Sequence, residues 1–80
     1  MSEGEAVLVL KCTIDCVVYL DGEVLVRLDA DEVKKVTIRS GSHILEFVNF
    51  VDCVTKVINV PNNETLAIFE EELLELRFRD

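Results

Sequence analysis

The residues with side chains suited to chemistry are three cysteines and one histidine. Such a set could in principle build a zinc site, or a nucleophile with its base, from Cys12, Cys16, Cys53 and His43. The spacing argues against both, because Cys12 and Cys16 are predicted to lie on successive strands and not in the tight turn of a zinc knuckle. No third group that would orient a Cys–His pair is evident. We therefore predict buried free thiols, no metal, no cofactor and no enzymatic activity.

Two acidic runs are the remaining candidates for ligand binding. Asp29-Ala30-Asp31-Glu32 offers carboxylates for Ca²⁺, but a calcium loop of the EF-hand type also needs a central Gly and a distal Glu. The run contains no Gly and is interpreted as a solvated turn. Glu70-Glu71-Glu72 is likewise interpreted as a solvated face or terminus.

Length and charge exclude several classes of function. Eighty residues make one domain, with residues 1–5 forming a polar tail and residues 6–80 the folded part. Acidic residues outnumber basic ones 16 to 8. The resulting net charge of −8 would repel nucleic acid and disfavour an anionic membrane surface.

The sequence shows no pattern for secretion or membrane insertion. Its N-terminus is acidic, whereas a secretory signal begins with basic residues, and the apolar run at 7–10 is too short to span a bilayer. Together with the free thiols, these features predict the cytoplasm. The cell envelope is the alternative if the chain is a piece of a larger protein.

Seven runs of alternating apolar residues predict seven short strands. They span residues 6–13, 16–20, 23–28, 33–39, 43–49, 53–60 and 64–70. Residues 73–78 fit either a continued strand or a short helix, because their apolar positions suit both periods. Close turn signals and the lack of a long helix predict an all-β fold, a small antiparallel β-sandwich of about seven strands.

The hairpin around Asp21 and Gly22 is the best-defined element. Asp-Gly between two apolar runs is typical of a two-residue turn whose residues have positive φ. An unbroken register then sets four facing pairs: Leu20 with Glu23, Tyr19 with Val24, Val18 with Leu25, and Val17 with Val26. Gly41 is the turn residue between the fourth and fifth strands.

Two segments resemble the signatures of PEGA-type domains. Residues 16–23 run through alternating apolars and an aromatic into Leu-Asp-Gly-Glu, and residues 40–47 read Ser-Gly-Ser-His-Ile-Leu-Glu-Phe. Residues 57–60 and 65–68 are similar to the closing strands of that family. The family's Gly-Thr-Pro segment is replaced here by Val26-Arg27-Leu28-Asp29-Ala30. The resemblance implies a small β-sandwich that serves as an accessory module of larger bacterial proteins and has no catalytic residues.

Apolar residues in both phases of several strands predict an apolar surface outside the core. If Cys16 and Val18 face the core, the surplus side chains are Val7, Val9, Val17, Tyr19, Val24 and Val26, to which the loop residue Phe50 is added. The hairpin is apolar on both sides, so the opposite choice of core face stays open. The segment 73–78, folding back, is an alternative cover for this surface.

The surplus of apolar side chains predicts the function. We expect a non-catalytic binding or scaffolding module that engages a protein partner or a neighbouring domain through an apolar sheet face, with a weak homodimer as a further assembly. A carbohydrate- or cell-surface-binding module is the alternative from another class. Sugar platforms favour exposed aromatics, and Tyr19 would be the residue to test.

Overall fold

The computed structural model describes residues 4–75, which form seven strands and no helix. The strands are β1 (Glu5–Cys12), β2 (Cys16–Leu20), β3 (Glu23–Leu28), β4 (Val33–Arg39), β5 (Gly41–Val48), β6 (Cys53–Val60) and β7 (Thr65–Glu70). They build a three-stranded sheet in the order β4-β1-β7 and a four-stranded sheet in the order β3-β2-β5-β6. The predicted small all-β sandwich is confirmed.

The segment for which strand and helix were both predicted is only partly described. Residues 71–75 have no regular secondary structure, and residues 76–80 lie outside the described part of the chain. The Leu73 side chain is buried in the core, whereas Leu74 is exposed. This short stretch therefore closes one end of the sandwich and does not extend β7.

The core lies between the two sheets and follows from the alternation of each strand. In β1 the buried positions are Ala6, Leu8, Leu10 and Cys12, and the residues between them are only half-buried. Leu45 and Phe47 of β5 belong to the same buried cluster. Each fully buried Leu or Phe side chain contributes about 1.5–3 kcal/mol relative to exposure.

The pairing of β1 with β7 is parallel, whereas the other four strand pairs in the described residues are antiparallel. Val7 lies opposite Thr65 and Cys12 opposite Glu70. Alternation of apolar residues reports which side of a strand is buried but not its direction. The one parallel pair was therefore not predictable from the pattern of the two strands.

A β-bulge in β3 changes the predicted register of the hairpin. Tyr19 faces Val24 as predicted, but the register shifts after this pair, so that Val18 faces Val26 and Val17 faces Arg27. The predicted pairs Val18–Leu25 and Val17–Val26 are therefore wrong, and Leu25 is the extra residue.

The physical reason for the bulge lies at the far end of the hairpin. Without the bulge, the buried Cys16 would face Arg27 and the inner position would hold a charged side chain. With the bulge, Cys16 faces Leu28, which is fully buried, and Arg27 stays exposed. As a consequence Val26 packs against the core and does not lie on the outer face, where it was predicted.

Two further expectations about burial are corrected. Glu70 was interpreted as part of a solvated run, but its inward phase after Ile68 places it inside the sandwich, 2% exposed. Cys53 was predicted to be a buried thiol, but it occupies an outward position at the start of β6 and is exposed. Cys12 and Cys16 are buried.

Candidate functional site

The residues predicted to form one interaction face are divided between opposite sides of the sandwich. Val7 and Val9 lie on the outer face of the three-stranded sheet, whereas Val17, Tyr19 and Val24 lie on that of the four-stranded sheet. Phe50 lies in the loop between β5 and β6. The sequence pattern indicates the phase of each residue but not the sheet to which its strand belongs.

The outer face of the four-stranded sheet carries the larger apolar surface. We call it the Tyr19 face, and its apolar side chains are Val17, Tyr19, Val24, Ile44, Val48 and Val57. Val48 lies opposite Val17, and Ile44 lies opposite Val57. Val24, Ile44 and Val57 are 65%, 48% and 80% exposed. Ile44, Val48 and Val57 were not predicted from the sequence to belong to this face, because they join Tyr19 only through the pairing of β5 with β2 and of β6 with β5.

A shallow groove runs along this face beside the β5–β6 loop. It encloses about 290 Å³ and is lined by Val17, Tyr19, Arg27, Val48, Asn49 and Phe50. The ring of Phe50 is fully exposed. A large apolar side chain held in water next to an apolar groove is typical of a contact site.

Asn49 holds the loop that presents Phe50. Its Oδ1 accepts hydrogen bonds from the backbone N–H groups of Val51 (2.9 Å) and Asp52 (2.8 Å). Its Nδ2 donates to the carbonyl oxygen of Leu74 at 2.6 Å, and Asp52 Oδ2 accepts from the Leu74 N–H at 2.9 Å. The loop is therefore tied to the chain beyond β7, and a partner of Phe50 would meet an ordered loop.

His43 and Asp21 form a second polar arrangement, at the turn of the hairpin. His43 Nδ1 pairs with Asp21 Oδ2, and His43 Nε2 donates to the carbonyl oxygen of Arg39 at 2.7 Å. Asp21 Oδ1 accepts the N–H of Ile44 at 2.9 Å. Asp21 (φ 51°) and Gly22 (φ 87°) both have positive φ, so the turn has the geometry expected of Asp-Gly. Asp21 thus also ties the turn to β5.

The surroundings of His43 favour its protonated form. Both ring nitrogens face acceptors, which only the imidazolium can satisfy by donating twice. The hydrogen bond to Asp21 raises the pKa of His43 above 6.5, and the same contact lowers the pKa of Asp21 below 3.8. This arrangement has the character of a structural ion pair, because both ring nitrogens of His43 are already engaged by oxygen atoms of the protein.

The cysteines do not assemble with His43. Burial raises the pKa of the Cys16 thiol to about 12, and the neighbouring Cys12 thiol acts in the same direction. A thiol with such a pKa is not a nucleophile at neutral pH. Among residues 4–75 no group of three or more His, Cys, Asp or Glu side chains is arranged to hold a metal ion.

The acidic run between β3 and β4 is engaged in turn formation. Glu32 Oε1 accepts the N–H of Asp29 at 3.1 Å and lies 3.5 Å from Lys34 Nζ. Asp31 has a positive φ of 61°, which Asp tolerates better than most residues. These contacts support its interpretation as a turn.

We expect the single histidine to titrate above its ordinary pKa. In Asp21→Asn the pKa of His43, followed by NMR, should fall towards 6.5, because the Asp21 carboxylate no longer stabilises the imidazolium. Thr37→Ala, which alters the outer face of the other sheet, is the control and should leave it unchanged. An equal His43 pKa in wild type and Asp21→Asn would contradict the role of the pair.

The two shifts also set a pH window for stability. Because the pKa of His43 is raised on folding, its protonation contributes to the free energy of unfolding. This contribution is complete below pH 6.5 and is lost as the pH rises through the pKa of the folded state. The lowered Asp21 pKa gives stability that is complete above 3.8 and is lost as the pH falls through its folded-state value. The pair therefore contributes most to stability between pH 3.8 and pH 6.5. In Asp21→Asn, a plot of the urea midpoint against pH should no longer show this contribution.

Comparisons with known proteins return no relative. No protein-family model, curated protein or solved structure matches the chain. The resemblance to PEGA-type domains accordingly rests on the sequence motifs alone. No helix among the described residues is long and apolar enough to cross a membrane.

Proposed function

We propose that this protein is a non-catalytic binding module that engages a protein partner, or a neighbouring domain of a larger protein, through the Tyr19 face. The observation that carries the proposal is the fully exposed Phe50, held on an ordered loop beside an apolar groove. Aromatic side chains are frequent among the hot-spot residues that contribute most of the binding free energy of an interface. On the Tyr19 face, Val17, Tyr19 and Val48 line the groove together with that anchor.

The surroundings of the groove fit a polypeptide better than a sugar. Sugar platforms need flat, exposed rings, and on this face Tyr19 is half-buried while Phe50 lies at the end of the groove. Val24, Ile44 and Val57 are aliphatic side chains, which suit the apolar side chains of a protein. Arg27 and Glu46 lie at polar positions of the same face and would set the orientation of the partner.

The proposal extends to the setting in which the module works. It agrees with the role that the PEGA resemblance implies, that of an accessory domain in a bacterial protein. The exposed Cys53 thiol supports a reducing compartment such as the cytoplasm, because a surface thiol in an oxidising compartment tends to form mixed disulfides.

Photocrosslinking tests this proposal most directly. A photoreactive phenylalanine analogue replaces Phe50 in one variant and the exposed Pro61, which follows β6 at the end of that strand away from the β5–β6 loop, in the control. In source cells we expect discrete crosslinked products from position 50 and not from position 61. The same products from both positions would contradict the proposal.

Once the partner is isolated, Phe50→Ala should weaken binding about 30-fold or more, as expected for an aromatic hot spot. The far-UV circular dichroism and urea midpoint should not change, because the ring is already in water. Val33→Ala, another exposed apolar residue but on the other sheet, is the control. Retention on a glycan array that Tyr19→Ala abolishes would instead favour the carbohydrate alternative.

A further inference from the structure

The outer face of the three-stranded sheet carries a charge opposite to that of the whole chain. We call it the Val9 face, defined by Val7, Val9, Lys11, Lys35, Arg39 and Phe69. Three of the six Lys and Arg side chains among the described residues lie on it, against the single carboxylate of Glu5. The full chain has a net charge of −8. A local basic surface on an acidic protein requires a separate explanation.

The register places these charges around an apolar centre. Val9 lies between Lys35 of β4 and Ala67 of β7, and the next row along β1 sets Lys11 between Val33 and Phe69. Val33 and Phe69 are each more than half exposed. The face is therefore an apolar stripe with cations beside it, and it is about as wide as three strands.

The cations of the Val9 face are free for a partner within the described part of the chain. Neither ion pair of the other lysines lies on this face: Lys34 pairs with Glu32 beside the β3–β4 turn, and Lys56 pairs with the buried Glu70. No carboxylate among residues 4–75 lies within ion-pair distance of Lys35 or Arg39. Lys11 is placed over the ring of Phe69, 6.0 Å from its centroid, which keeps the ammonium beside the apolar stripe.

We propose that the Val9 face is a second docking surface, which binds an acidic, amphipathic segment of a partner polypeptide. Charge complementarity selects this occupant: apolar side chains would cover Val7 and Val9, and carboxylates would reach Lys11, Lys35 and Arg39. A nucleic acid or an anionic bilayer is a weaker fit, because its extended charge would also meet the acidic remainder of the chain. With the Tyr19 face on the opposite side, the module would bridge two partners.

A short fluorescent peptide in which Glu and Leu alternate serves as the probe, with its binding followed by anisotropy. Wild-type protein should bind it, and Lys35→Glu should weaken binding about tenfold because a contacting cation is reversed. Arg27→Glu makes the same change of charge on the Tyr19 face and should alter the affinity less than about twofold. Raising the salt concentration should weaken binding, and a peptide in which Lys replaces Glu should not bind.

Three results would overturn the proposal. They are equal losses for Lys35→Glu and Arg27→Glu, absence of binding to the Glu/Leu peptide, and stronger binding to vesicles of anionic lipid than to the peptide. Lys35→Gln is a milder variant, because it removes the charge but keeps a polar side chain at this exposed position. Comparing its urea midpoint with those of Lys35→Glu and the wild type shows whether a loss of binding comes from a folding defect. Phe50→Ala should leave peptide binding unchanged, which separates this test from that of the Tyr19 face.

Discussion

Phe47→Ala is expected to destabilise the protein by about 4 kcal/mol, whereas Phe50→Ala, three positions away, should change stability by less than about 0.5 kcal/mol. Phe47 is fully buried and lies opposite Val18 and Val54 on the inner face of the four-stranded sheet. Truncation removes its burial and leaves a cavity between the sheets. Domains have only about 5–15 kcal/mol of stability in total, so a large part would be lost.

Urea unfolding followed by far-UV circular dichroism measures both variants. Phe47→Leu is the graded control and should cost about 1.5 kcal/mol, because most of the apolar volume is kept. An unchanged midpoint for Phe47→Ala would mean that the two sheets do not pack through this residue. If Phe47→Ala does not fold at all, the Phe47→Leu midpoint still tests the expectation.

Lys56→Met is expected to cost about 3 kcal/mol, because it leaves a buried carboxylate without its counterion. Lys56 Nζ lies 3.1 Å from Glu70 Oε1, and the Glu70 side chain is 1% exposed while that of Lys56 is 37% exposed. After the substitution, the N–H of Glu72, which donates to Oε2 at 2.7 Å, would be the only group among residues 4–75 still bound to the carboxylate. The expected cost is at the low end for broken buried pairs because the ammonium is partly in water.

A double-mutant cycle separates the loss of the pair from the loss of packing. Lys56→Met combined with Glu70→Leu removes both charges and should return stability to within about 1 kcal/mol of the wild type. Lys34→Met removes the exposed pair with Glu32, at 3.5 Å, and should cost less than about 1 kcal/mol. A Lys56→Met effect no larger than that of Lys34→Met would contradict the buried-pair account.

Much of the fold was predictable because the strands alternate so regularly. The bounds of β2, β3, β4 and β6 were predicted to the residue, and those of the other three strands to within two residues. Asp21-Gly22 fixed the hairpin because few dipeptides accept positive φ at both positions. The bulge at Leu25 escaped prediction because it depends on a competition between Arg27 and Leu28 for the position opposite Cys16.

The candidate site was less predictable, since it depends on which strands are neighbours. Tyr19 and Val24 could be placed together from the turn alone, whereas Ile44 and Val57 join them only through the order β3-β2-β5-β6. Val7 and Val9 have the same outward phase as Tyr19 but belong to the other sheet. The burial of Glu70 was not predicted, because its counterion Lys56 lies on another strand and the sequence does not show that the two are neighbours.

The central place of β1 between β4 and β7 affects how the molecule can fold during translation. Val7 and its parallel partner Thr65 are 58 positions apart, so β1 leaves the ribosome long before one of its two neighbours exists. Hairpins such as β2–β3 can form locally in that interval, while the apolar run Val7-Leu8-Val9-Leu10 keeps one hydrogen-bonding edge open. Such non-local pairing slows folding and exposes a nascent chain to aggregation. The three-stranded sheet can therefore be completed only after β7 has emerged, and until then the nascent protein would be a natural client of chaperones.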